Sequence, residues 1–352
     1  MTKKIFKVIG IILLAIVILV GVLLAWLSIT EFKPQPVEDA QTSFQSGSPR
    51  VAVGDDLTVM SWNIGYAGLG EGSDFFMDGG SHTKSADEAA VNKYLDGIKA
   101  SAAAVDADIY MFQEVDENSS RTYAINEKEV LAGANSAYAL NYSCRFVPYP
   151  LPPIGRVNSG LFTTTDLAID KAERVSLPVP FKWPVSTANL KRCLLVSYMP
   201  IENSDKQLVI VNLHLEAYDN GEGKIAQTKQ LKEFIQAEYE KGNYVIAGGD
   251  FNQEFPGALE AYPNITPDLW APGTLEENML PEGWEFTYDL TNPTCRLLNQ
   301  PYDPADTENT QHYVIDGFIL SPNIEVKAVE SIDLGFKNSD HNPVKLEVTL
   351  LP

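Results

Sequence analysis

"VIAGGDFNQ", residues 245–253, is the stretch on which the reading of this chain turns. Val245 to Gly249 are all apolar or glycine, and they run straight into Asp250 and Asn252. The run reads as a buried strand, and a strand that closes on Gly-Gly lets other groups come near its backbone. Residues two apart on extended chain point the same way. The Asp250 carboxylate and the Asn252 amide can therefore reach one point beyond the strand end. Glycine, aspartate and asparagine are also ordinary turn residues, and taken alone the segment is better explained as a turn.

The same pattern recurs along the chain. Polar residues sit in or just after apolar strand segments at Asn63 in "MSWNIGY", Gln113 and Glu114 in "MFQEVD", and His214 in "VNLHLEA". Asp316 in "YVIDGF" and Asp340 with His341 in "NSDHNPV" complete the set. Each has a structural explanation by itself: a turn, a solvated strand end, a satisfied core histidine. Together they do not, because charged groups are rarely buried without partners. Carboxylate and amide oxygens suit Mg²⁺, Mn²⁺ or Ca²⁺ rather than zinc. Two histidines among oxygen ligands suit phosphate ester hydrolysis, one handling the water and the other the charged transition state. An aspartate bonded to a histidine holds its tautomer and raises its basicity.

Between these segments, "SADEAAVNKYLDGIKASAAAVDAD" carries acidic residues in its first turn and apolar residues at helical spacing, which predicts a helix from Asp87 to Val105. "GKIAQTKQLKEFIQAEYEKG" is an amphipathic helix with Gly242 as its cap. Strands and helices interleave without strict alternation, and several strands look buried on both faces. A layered α/β domain with mixed sheets follows.

The 22 residues from Val8 to Ile29 carry no charge. As a helix they measure about 33 Å, enough to cross a bilayer core. The run is longer than a signal peptide's apolar region and shows no convincing cleavage site, so it reads as an uncleaved anchor. Lys3, Lys4 and Lys7 precede it, while Glu31, Glu38 and Asp39 follow. The positive-inside rule then gives a cytoplasmic tail (1–7), a single transmembrane span (8–29), a polar linker (30–50) and one extracytoplasmic domain (51–352). Net charge is −21, and without those three lysines 23 basic residues face 47 acidic ones. That disfavours a surface built to neutralise many nucleic acid phosphates. It suits a protein that collects divalent cations, and leaves nucleic acid as a substrate of a local site only. Three cysteines, Cys144, Cys193 and Cys295, allow at most one disulfide.

The ordered blocks "WN", "QE", "NLHL", "GDFN", Asp316 and "SDH" make the chain similar to the endonuclease/exonuclease/phosphatase superfamily, over about Leu57 to Leu351. That group includes deoxyribonuclease I, abasic-site endonucleases, neutral sphingomyelinases and inositol polyphosphate 5-phosphatases. The resemblance implies a four-layer α/β sandwich, two mixed sheets packed together with helices outside. It implies a site where the strand ends of both sheets meet. Glu114 would be the main metal ligand with Asn63 beside it, and Asp340 a further ligand. Asp250 would position the attacking water and Asn252 would hold a phosphate oxygen. His341 would be the acid/base or transition-state histidine, oriented by Asp316, and His214 would face the phosphate from the other side.

Arginine forks suit phosphate, which makes Arg121, Arg156 and Arg192 candidates, with Asn158 drawn in by "SGLFT", a segment resembling one that lines the family's site. His82 and His312 belong to no motif and are expected at the surface. Phe75, Phe76 and Met77 lie in a glycine-rich segment and suit either contact with lipid or a local core. The function these readings imply is divalent-metal-dependent hydrolysis of phosphate esters, Mg²⁺ being the expected cofactor, with Mn²⁺ and Ca²⁺ as alternatives. The substrate would be a lipid head group or another phosphorylated small molecule. An extracellular nuclease and a non-catalytic binding module on the same fold are the competing readings.

Overall fold

The computed structural model describes residues 2–352. Two large sheets carry the domain. The first is ordered β1 (Val37–Asp39), β7 (Lys171–Ser176), β8 (Cys193–Pro200), β9 (Gln207–His214), β10 (Tyr244–Asp250), β16 (Asp316–Leu320), β13 (Glu285–Thr287). The second is ordered β17 (Ile324–Ser331), β18 (Val344–Leu350), β3 (Asp56–Asn63), β4 (Ile109–Asp116), β6 (Gly155–Thr165), β5 (Asn135–Val147), β2 (Gln41–Ser43). The pairs β9–β10 and β3–β4 are parallel within otherwise antiparallel sheets, so both sheets are mixed. Short ribbons join β11 (Gln253–Glu254) to β12 (Gly273–Thr274), and β14 (Cys295–Arg296) to β15 (His312–Tyr313).

Strand alternation sorts the side chains into layers. Leu57 and Val59 of β3 point between the sheets and meet Met111, Ile210, Ile246, Leu346 and Val348. Met60 and Trp62 point the other way, onto Val91, Leu95 and Ile98 of helix α2 (Glu88–Val105). A short helix α3 (Glu127–Leu131) follows. On the far side, Val245 and Ala247 of β10 meet Leu231 and Ile235 of helix α4 (Glu222–Glu240). The result is a four-layer sandwich. Each such buried side chain contributes about 1.5–3 kcal/mol. These apolar clusters, not crosslinks, hold the domain, since all three cysteines are free and buried.

The helix ends follow the sequence signals. The Asp87 carboxylate accepts from Ala90 N at 2.8 Å as the N-cap of α2. After α4, Gly242 takes φ +86° and donates to the Tyr239 carbonyl at 2.8 Å. The Gly-Gly of β10 has a concrete cause. A Cβ on Gly248 would lie 2.3 Å from the Phe318 ring, and one on Gly249, at φ +143°, would lie 1.9 Å from the Leu213 carbonyl oxygen.

Helix α1 runs from Thr2 to Ile29 and is long and apolar enough to cross a membrane. It includes residues expected as a tail, while Met1 lies outside the described residues. Its last turns touch the domain: Leu27 is buried with Cys144, Val147 and Val157, and Ser28 Oγ accepts from Trp183 Nε1 at 3.0 Å. Glu31 pairs with Lys191 at 3.0 Å. The segment 30–50 departs from a bare tether. It lays β1 along β7 and β2 along β5, so within a few residues it joins the edges of both sheets. Edge strands need no apolar alternation, which is why the composition of this segment conceals them.

Candidate active site

Two strands of the first sheet end, and a third begins, in register. Asp250 on β10 lies opposite His214 on β9 and opposite Asp316 on β16, so the three side chains form one row. His214 Nε2 is 3.2 Å from Asp250 Oδ2. The second sheet contributes Asn63 at the end of β3, whose Nδ2 donates to Asp250 Oδ2 at 3.0 Å and reaches Glu114 Oε1 at 3.3 Å. His341 lies in the loop before β18. Its Nδ1 is 2.8 Å from Asp316 Oδ2, and its Nε2 is 3.8 Å from Asp250 Oδ2. Trp62 Nε1 donates to the His341 carbonyl at 2.8 Å, and Ser339 Oγ donates to the Asn63 carbonyl at 2.8 Å. These bonds tie the loop to β3 and fix the ring over the Asp250 row.

Asp250 and Asn252 do come together, but not by strand alternation. β10 stops at Asp250, and Asn252 takes φ +51°. Its N–H donates to Asp250 Oδ1 at 2.8 Å, closing a turn, while its Nδ2 donates to the Leu215 carbonyl at 3.0 Å. Turn and site are therefore the same object. Glu114 is likewise placed by an irregularity: the register of β4 against β6 shifts between Phe112 and Val115, and Glu114 takes φ +56°. A bulge of this kind re-aims a side chain. Its neighbour Gln113 is removed from the site. Gln113 Nε2 donates to Asn212 Oδ1 at 2.8 Å and to Ser61 Oγ at 3.2 Å, bracing the two sheets against each other.

Burial and neighbouring charge set the proton affinities. Burial first, then the Asp316 charge, push the Asp250 carboxyl up to about 7. Burial would lower His341, but the Asp316 carboxylate beside it overrides this and raises the ring well above its usual range. His214 is driven well below its usual range by burial, then by the charges of Arg192 and His341. Burial raises Asp340 to about 6, His341 opposes this, and Glu114 adds to it.

The donor set fits a hard cation. Glu114 and Asp340 load negative charge into one buried region that also holds the amide of Asn63, and oxygen-rich anionic sites of this kind take Mg²⁺, Mn²⁺ or Ca²⁺. Donor atoms of Asp250, Asp316 and His341 also lie within 4.8 Å of one another. In that trio the Asp316–His341 hydrogen bond already engages Nδ1, which fits a proton-handling pair better than a ligand set.

The arginines separate. Arg192 is buried, lines the cavity, and its Nε has no hydrogen-bond partner among the described residues. Arg121 also lines it, but its fork is bidentate on Asp116, with both distances 2.9 Å, and stacks 3.5 Å from the Tyr66 ring. Arg156 does not line the cavity; it is exposed and donates to Asn118. Asn158 accepts from Ser143 Oγ and does not line the cavity either. His82 is exposed beside Asp74, as expected. His312 is not a surface residue: it is half-buried and stacks on Phe336 at 5.6 Å.

Several lining residues were not singled out in the sequence. Among the described residues, the buried Tyr66 hydroxyl and Oε2 of the buried Glu216 have no hydrogen-bond partner. Arg296 reaches in from β14, anchored on the Gly70 carbonyl at 3.0 Å. Of these, Tyr66 in "MSWNIGY" and Glu216 in "VNLHLEA" stand within three residues of Asn63 and His214, close enough to a motif to have been suspected, while Arg296 does not.

Carboxylates, amides and a histidine–aspartate pair gathered where two mixed sheets end make a site of the phosphoester-hydrolase kind. The chain belongs to the endonuclease/exonuclease/phosphatase family, whose profile matches residues 60–341. Its fold is similar to a family protein from Beutenbergia cavernae at 18% identity and TM-score 0.55, covering 84% of this chain and 72% of that one. It is similar to a mannosyl-6-phosphatase from Bacteroides thetaiotaomicron at 18% identity and TM-score 0.51, covering 84% and 100%. A family protein from Leptotrichia buccalis aligns at 16% identity and TM-score 0.52, again over 84% and 100%. At these identities the likeness is one of fold. No curated protein matches the chain.

Proposed function

We propose that this protein is a divalent-cation-dependent hydrolase of phosphate esters, anchored by α1 with its catalytic domain outside the cytoplasm. The observation that carries the reading is the buried row of His214, Asp250 and Asp316 facing Asn63 and His341 across the junction of two sheets. A buried row of ionisable groups costs stability and is explained best by chemistry. Lys3, Lys4 and Lys7 ahead of the apolar helix support the orientation, with residues 51–352 as the exported domain.

Glu114 and Asp340, with Asn63, are the residues that would hold the cation, which when bound neutralises charge on the phosphate oxygens. Asp250 accepts the proton of the attacking water. A carboxyl near 7 is well matched to that task at neutral pH. His341, held by Asp316 with Nε2 turned toward Asp250, supplies a positive charge or a proton to the reacting oxygens. His214 stays neutral and donates from the opposite side. Asn252 and Arg192, whose Nε has no hydrogen-bond partner among the described residues, hold phosphate oxygens.

The test is turnover of p-nitrophenyl phosphate and bis-p-nitrophenyl phosphate by the full chain, which covers monoesters and diesters. Hydrolysis abolished by chelator and restored by Mg²⁺, Mn²⁺ or Ca²⁺ is the expected result. No turnover with any of the three sinks the proposal in favour of a binding module. Cleavage confined to DNA or RNA favours the nuclease.

A further inference from the structure

The catalytic cavity, about 580 Å³, is not walled by the sandwich alone. Its lining joins His214, Asp250 and His341 of the site to Leu24 and Leu27 of α1. Leu27 is only 3% exposed, sealed against Val147 and Val157. At the mouth, Tyr149 and Val185 line the opening with 69% and 56% of their surface exposed. Beside them Leu151 is 86% exposed, and Trp183, bonded to Ser28 of α1, is 63% exposed. Exposed apolar side chains gathered at one rim mark a surface that meets something apolar.

The geometry of α1 says what that is. From Lys7 to Trp26 the helix rises about 28 Å, close to the roughly 30 Å of a bilayer core. With Lys7 at one interface, Trp26 stands at the other, and Leu24 and Leu27 flank it. The cavity mouth and its apolar rim then lie at head-group level in the leaflet next to the domain. A water-soluble ester has no use for this wall, whereas a lipid can pass its phosphate to the polar floor while its chains stay along α1.

We propose that the substrate is a phosphate ester of a membrane lipid resident in the same leaflet as the anchor's outer end, entering the cavity along α1. This rests on the hydrolase reading above and specifies its substrate class. In the step, the water oxygen bonds to phosphorus and the ester P–O bond breaks. The departing oxygen takes one proton to leave as an alcohol, and the other product keeps the phosphate.

The experiment uses the full chain reconstituted into phosphatidylcholine vesicles carrying phosphatidic acid, phosphatidylglycerol or sphingomyelin, with Mg²⁺ outside. The same lipids are supplied in protein-free vesicles as a second arm, and bis-p-nitrophenyl phosphate and p-nitrophenyl phosphate are the soluble controls. Lipid in the protein's own vesicle is expected to be cleaved at least tenfold faster than the same lipid in separate vesicles, because tethering makes the encounter local. The double variant Tyr149→Ser/Leu151→Ser, altered only at exposed rim positions, is expected to lower the ratio of lipid to soluble-ester turnover at least tenfold. Soluble-ester turnover without lipid cleavage overturns this proposal and leaves the hydrolase reading standing. So do equal rates in the two vesicle arms, or a ratio the rim variant does not move. No turnover of any ester overturns both.

Discussion

Asp316 Oδ2 lies 2.8 Å from Nδ1 of His341, although one residue opens β16 and the other sits in the loop before β18. Thr294 Oγ1 accepts from the N–H groups of both Ile315 and Asp316, which fixes the start of the strand. In the proposed mechanism the carboxylate works chiefly through the ring. His341→Ala is expected to reduce turnover on the order of a hundredfold or more, as loss of acid/base help does. Asp316→Asn should cost less, because the imidazole remains. The double variant should be no slower than His341→Ala, since residues acting as one unit are non-additive. Multiplicative losses in that cycle would show Asp316 working independently.

The same pair sets the pH dependence. As the proposed base, Asp250 must be ionised to take a proton, so activity should fall as pH drops through its value, about 7 before any cation lowers it. His341 must be protonated, so activity falls again as pH rises through its raised value. Asp316 raises both groups. Asp316→Asn should consequently move both limbs of the kcat/KM profile toward lower pH. An acid limb that stays fixed or moves upward would remove Asp250 from the role of base.

Glu114 offers an anionic oxygen from a bulge where φ is +56°. Glu114→Gln keeps the shape and removes the charge that a hard cation prefers. It should raise the Mg²⁺ concentration needed for half-maximal activity by tenfold or more and weaken calorimetric binding in parallel. An unchanged metal requirement would mean the ligand is elsewhere.

The proposed orientation rests on three lysines before the apolar stretch of α1. Protease added to intact cells should cut the chain beyond Thr30 and leave the helix behind. Full protection would put the domain on the cytoplasmic side.

Much of this site was legible in the sequence because strand ends announce themselves. Asn63, His214, Asp250 and Asp316 each terminate or open a run of apolar residues, and the structure brings all four together with His341. What stayed hidden depends on local backbone breaks or on distant chain. The turn at Asn252 and the bulge at Glu114 are set by positive φ, which strand periodicity does not reveal. Gln113, beside Glu114 in sequence, faces between the sheets and bonds to Asn212. Arg156 is slightly favoured in the sequence by its place before "SGLFT", yet it is exposed, whereas Arg192 is buried at the cavity. The lining of that cavity by Leu24 and Leu27 is a long-range contact that a hydropathy pattern treats as more anchor.

Ester turnover in ¹⁸O-labelled water by wild type and by Asp250→Asn, with Mg²⁺ present, tests whether Asp250 activates the attacking water. If water activated by Asp250 attacks phosphorus, the label appears in the phosphate-bearing product. A loss of turnover of about a hundredfold or more is also expected in the variant, with the fold intact by circular dichroism. Label in the alcohol, or an Asp250→Asn protein that keeps the wild-type rate, would contradict this mechanism.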